Sequence, residues 1–172
     1  MDFNSIIKTL TDSDSVSQLS KVTGTNSNDI TNILSSALPQ LLSGAQQQAT
    51  SKDTAASFAN ALATHGQQSS KDLSAFMNNV DLDDGQKIVN HLLGKENAQK
   101  TAKNISSNSG VSAGDITKVL SAAAPLLMTL MGQQAQKEQP KAGADLSGIV
   151  GSLFGGGSSS GGVSDILSGL FK

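Results

Sequence analysis

Two stretches of the chain carry their apolar residues at i, i+3, i+4, i+7, i+8, i+11 and i+12. The first reads Ile30, Ile33, Leu34, Ala37, Leu38, Leu41 and Leu42; the second reads Ile116, Val119, Leu120, Ala123, Ala124, Leu127 and Met128. That spacing lines one side of an α-helix, so it predicts two long amphipathic helices, each buried along one face. The two stretches, NDITNILSSALPQLL from 28 and DITKVLSAAAPLLM from 115, also share eight residues in register. Asp29/Asp115, Ile30/Ile116, Thr31/Thr117, Leu34/Leu120, Ser35/Ser121, Ala37/Ala123, Pro39/Pro125 and Leu41/Leu127 all keep the same offset. A proline inside a helix lacks a backbone donor and crowds the preceding turn. Each rod is therefore expected to kink at its proline or to start a new segment there.

The same order of elements precedes both rods. Phe3, Ile6, Ile7 and Leu10 predict a short helix; Val16, Leu19 and Val22 predict a second, stopped at Gly24, with Ser27 or Asn28 capping the third. Later, Ile88, Val89, Leu92 and Leu93 give a short helix ended by Gly94. Ala98, Ala102 and Ile105 give the next, stopped near Gly110, before a long helix from about Ser112. The copies slip by four residues between the first and second helices, a shift assigned to a turn. Between the units, Thr54–His65 and Leu73–Val80 predict connecting helices. The polar runs QQQATSK, GQQSSKD and SSNSG predict turns or loops.

The expected architecture is all-α, with internally duplicated three-helix units (about 1–46 and 83–134, connecting helices in 52–80) forming one helical bundle over 1–138. From 139 to 172 the composition turns to Gly and Ser, predicting a flexible tail with two short apolar patterns. Leu146, Ile149, Val150, Leu153 and Phe154 form one; Val163, Ile166, Leu167, Leu170 and Phe171 form the other. Each is too short and Gly-rich to hold a helix alone, so it orders only against something else.

Composition narrows the function. A formal charge of −2 gives no strong field toward nucleic acid or anionic lipid. Every cationic side chain is Lys, and without Arg the chain lacks the usual bidentate reader of guanine and phosphate. Trp, Tyr and Cys are absent, which removes most base-stacking platforms, disulfides and thiolate sites. The N-terminal residues do not read as a signal peptide and no run approaches a membrane span, so the expectation is a cytoplasmic protein with no integral membrane segment.

No motif supplies chemistry. His65 and His91 have no ligand-spaced partner, and Ser and Thr occur without a nucleophile turn. The run DLDDG at 81–85 departs from a calcium loop: Val80 stands where the first Asp belongs, and no Glu follows at the right distance. Its carboxylates fit the start of a helix placed at Gln86–Leu93. No cofactor, metal or catalytic residue is expected, and the chain reads as a non-enzyme.

A helix-turn-helix shape is the more serious motif. Ser20, Gly24, Ile30 and Ile33, and again Ser106, Gly110, Ile116 and Val119, fall at its small, turn-glycine and buried positions. The face that would enter a groove offers Asn28, Asp29, Thr31, Asn32 and Ser35, or Asp115, Thr117, Lys118 and Ser121. Lys95, Lys100, Lys103 and Lys118 are the candidate nucleic-acid contacts, balanced by Asp81, Asp83, Asp84, Glu96 and Asp115.

Taken together, GxxxxDITxxLxxAxPxL in the first half, DGQKIVNHLLG at 84–94 and GVSAGDITKVLSAAAPLLMTLMG at 110–132 resemble the YidB-like bacterial proteins of unknown function, over roughly residues 1–134. The resemblance implies an all-helical, homeodomain-like arrangement and no established activity, and it brings no site residues. The preferred reading is a non-catalytic protein-interaction or assembly module. Its buried helices carry Ile30, Ile33, Leu34, Leu38, Pro39, Leu41, Ile116, Val119, Leu120, Pro125, Leu127 and Met128. Its tail would dock through Leu146, Ile149, Leu153, Phe154, Ile166, Leu167, Leu170 and Phe171 into a helical groove, of the same chain, a second copy or a protein partner. The alternative is a DNA-binding helix-turn-helix protein.

Overall fold

A computed structural model describes residues 3–68 and 72–137. Among them lie eight helices and no strand: α1 (Phe3–Leu10), α2 (Ser13–Thr23), α3 (Ser27–Thr50), α4 (Ala55–Gly66), α5 (Leu73–Asn78), α6 (Leu82–Leu93), α7 (Lys95–Ser109) and α8 (Ala113–Lys137). The two tail segments lie outside the described residues.

Short polar side chains start these helices by supplying acceptors to the first free N–H groups. Asp12 accepts from Ser13 N at 2.8 Å, Asp72 from Ala75 N at 3.0 Å, and Asp81 from Asp83 and Asp84 N at 2.8 and 3.3 Å. Asn26, one residue ahead of the expected pair, caps α3: its backbone is extended and its side-chain oxygen takes the Asp29 N–H at 2.9 Å. Asp81 also moves the start of α6 forward to Leu82, four residues before the expected Gln86.

Two expected loops are helical. Gln46–Thr50 continues α3, because Ala45 and Ala49 extend the buried face and Gln is a good helix former. Ser106–Ser109 closes α7, where Ser107 and Ser109 hydroxyls donate to the carbonyls of Lys103 and Ile105 at 3.0 and 2.8 Å. That local bonding keeps serine within a last helical turn.

The four-residue slip is also not in a turn. α2 has 11 residues and α7 has 15, and the extra four lie at the start of α7. Four residues are close to one helical turn of 3.6, so the addition lengthens the rod while leaving its apolar face almost in phase.

The rods themselves differ. α3 runs unbroken through Pro39, buries Ile30, Ile33, Leu34, Leu38 and Leu41, and leaves Pro39 exposed. α8 is buried on every side from Val119 to Thr129, Pro125 included. It packs against α1, α2, α3, α4, α6 and α7, so it is the axis of the molecule, and α3 is one of the helices around it. The expectation of a helix buried along one face describes α3, whereas α8 from Val119 to Thr129 is buried all round, because helices pack on every side of that stretch.

Two glycines let α6 and α4 reach that axis. Pro125 has no N–H for the Ser121 carbonyl, and the backbone of Gly85 lies against that carbonyl, so closely that a Cβ would overlap it. Gly132 meets the backbone of Leu62 and Gly66 in the same way. At Ser121, a Cα–H group facing the carbonyl recovers part of the bonding that Pro125 removes.

Candidate functional site

The two corners that lead into the long helices are built alike. Gly24 has φ 73° and Gly110 φ 75°, the left-handed conformation that a side chain resists. Their N–H groups donate to Ser20 O and Ser106 O, each at 2.9 Å. Thr23 and Ser109 hydroxyls donate back to Leu19 O and Ile105 O, at 2.7 and 2.8 Å, and accept from the N–H of Thr25 and Val111. Asn26 and Ser112 then cap the following helix and also bond the carboxylates of Asp29 and Asp115. The chain turns by 120° between α7 and α8.

These corners do not form a continuous basic surface. Lys95, Lys100 and Lys103 are exposed on α7, while Lys118 is on α8 with its ammonium 3.5 Å from Asp115. The Ser112 hydroxyl holds the Asp115 carboxyl below the usual carboxylate range; partial desolvation opposes this, and Lys118 adds to the lowering. Beyond Lys118, the helix that would read bases is buried on all sides. On α3 the outward residues Thr31, Asn32, Ser35 and Ser36 are exposed and uncharged.

What the helices do create are grooves, and two of them lie beside the helical prolines Pro125 and Pro39. The first, of about 650 Å³, lies between the end of α4, α5, the start of α6 and Pro125. Phe76, Val80 and Ala75 give it an apolar floor; Asp72, Asp81, Asp84 and Lys87 surround it. Asp72 and Asp81 are already engaged as caps. His65 also lines this groove, with Nδ1 buried and without a hydrogen-bond partner, so no base–carboxylate pair is assembled. His91, exposed on α6, contributes its backbone carbonyl to Gln48 Nε2 at 2.9 Å. No group of three or more metal-ligating side chains occurs among the described residues.

The second groove, of about 510 Å³, lies between α3, α6 and α7. Pro39 and Leu93 are its apolar walls. Gln40 bridges to α7 by accepting from the Thr101 hydroxyl at 2.7 Å, and Gly44 brings α3 onto the Leu92 carbonyl. Lys100 is the one charged residue lining it. The structure thus joins Pro39 and Lys100, which the sequence reading had placed in different roles. Gly44, Gly85, Gly132 and the Gln40–Thr101 pair were missed there. The available signal was a glycine falling inside an apolar helical pattern, which marks a close backbone approach.

Among the described residues no single helix is long and apolar enough to cross a membrane. No curated protein and no solved structure matches the chain. A family described as "Bacterial protein of unknown function (DUF937)" matches residues 6–134.

Proposed function

The chain belongs to the DUF937 family of bacterial proteins of unknown function, and from that premise we propose that it is a non-catalytic protein-interaction or assembly module. Its core is a duplicated pair of three-helix units, and its apolar tail segments dock into a helical groove. The observation that carries this reading is the groove beside Pro39. It is open to solvent, partly apolar, and almost free of charge, while the sequence after residue 139 carries two apolar patterns. A neutral groove favours a neutral amphipathic segment, because neither side must shed a hydrated charge. The corners at Gly24 and Gly110 support the duplication, since they repeat the same hydrogen bonds at equivalent positions. Truncation after Lys141 tests the tail's part. Loss of a partner, a lower oligomeric state by light scattering, or shifted amide signals around a groove of the same chain is the expected result; a core unchanged in all three would remove it.

A second reading, helix-turn-helix DNA binding, draws on the 120° corner between α7 and α8 and the exposed Lys95, Lys100, Lys103 and Lys118. It also carries the homeodomain-like comparison. The burial of α8 and the uncharged outer face of α3 weigh against it, since phosphate neutralisation supplies most of such affinity. A mobility-shift titration from low salt upward decides it: no complex at the lowest salt ends this reading.

A further inference from the structure

We propose that the tail segment Val163–Phe171 occupies the groove between α3, α6 and α7 of its own chain, covering Leu93 and Pro39. This rests on the reading of the tail as a docking element, and adds which segment, which groove and which connectivity.

Charge selects between the grooves. Asp165 lies within the segment and Lys172 adjoins it, so the side-chain charges cancel. The groove beside Pro125 presents Asp72, Asp81, Asp84 and Lys87, and an apolar segment seated there would strip water from these charges. The groove beside Pro39 presents Lys100 alone. At helical spacing Val163, Ile166, Leu167, Leu170 and Phe171 form one stripe, with Asp165 on the opposite side. An apolar stripe therefore meets Leu93 and Pro39 while the carboxylate stays in water within the field of Lys100.

Length selects the connectivity. The 25 or so residues from 138 to 162 are rich in Gly and Ser, and a coil of that length has a root-mean-square span of about 28 Å. A compact domain of about 135 residues has a radius of gyration near 14 Å. The span is thus comparable to the domain's own diameter, the regime in which a tether gives the highest local concentration. At the micromolar concentrations of ordinary solutions, the chain's own groove is filled before a neighbour's.

The test uses the full chain and exploits its lack of cysteine. Ser168→Cys, on the stripe's far side, carries a nitroxide spin label, and amide signals are read by NMR. The expected result is loss of most intensity at Gly44, Leu93 and Asn97, with Phe76 and Val80 spared. The loss should be unchanged on dilution and should disappear in the added variant Leu167→Asp. Broadening at Phe76 and Val80 would overturn the groove assignment while leaving tail docking standing. In a mixture of isotope-labelled unmodified chains with spin-labelled chains, broadening of the former would overturn the intramolecular arrangement in favour of a second copy. Weak, uniform broadening would remove both this inference and the docking reading.

Discussion

Gly85 and Ser121 meet where two local rules would each forbid a contact: glycine weakens a helix, and proline four residues on deprives a carbonyl of its donor. Together they permit the closest approach of α6 to the central helix. Ala at 85 would favour the helix by about 1 kcal/mol, yet its methyl must displace backbone. Gly85→Ala is therefore expected to destabilise by about 2–3 kcal/mol, more than the roughly 1–2 kcal/mol of strain from Gly110→Ala; urea midpoints check the order. Asp115 gives a prediction in pH. Its folded carboxyl is lowered, chiefly by Ser112, so its stabilisation is present above the unfolded value and lost as pH falls through the folded one. Asp115→Asn should therefore be less stable than the parent at pH 7, with the difference shrinking below about pH 4. A difference constant with pH would exclude the carboxylate as its source.

At the scale of the element, the prolines separate the two long helices. Pro39 is exposed and its helix continues through it, so Pro39→Ala is expected to stabilise by about 1–3 kcal/mol. Pro125 is buried against packed neighbours, and its replacement returns a donor to a carbonyl that Gly85 already faces. Pro125→Ala should yield clearly less, as thermal unfolding of the pair will show. The greater length of α7 than of α2 obeys a similar economy of geometry: four residues are close to one helical turn, and Ala98, Ala102 and Ile105 share one buried side. Asp81 sets the start of α6 by accepting from two N–H groups, and Asp81→Ala should cost about 1 kcal/mol.

For the whole molecule, α8 makes the parts interdependent. Leu126 and Met131 are buried along with Leu127, and α4, outside residues 83–134, packs along α8. An isolated fragment of residues 83–134 would leave that side wet. It is expected not to fold cooperatively, whereas the full chain unfolds its described helices in one transition; calorimetric and van't Hoff enthalpies compare the two. A fragment with native-like cooperativity would show that the sequence unit is also the folding unit.

The apolar spacing determined the helical class and the inward faces of α3 and α8, because a period of 3.6 fixes which side chains share a side. It also marked Gly24, Gly94 and Gly110 as helix stops, each of which adopts positive φ. Spacing carries no information about what stands opposite a face. Only tertiary packing decided that α8 is wrapped on all sides while α3 keeps Pro39 in water, and that Gly44, Gly85 and Gly132 are contact points. The grooves likewise depend on residues far apart in the chain, such as Gln40 with Thr101, and hydrophobic patterning along one helix does not encode such pairings.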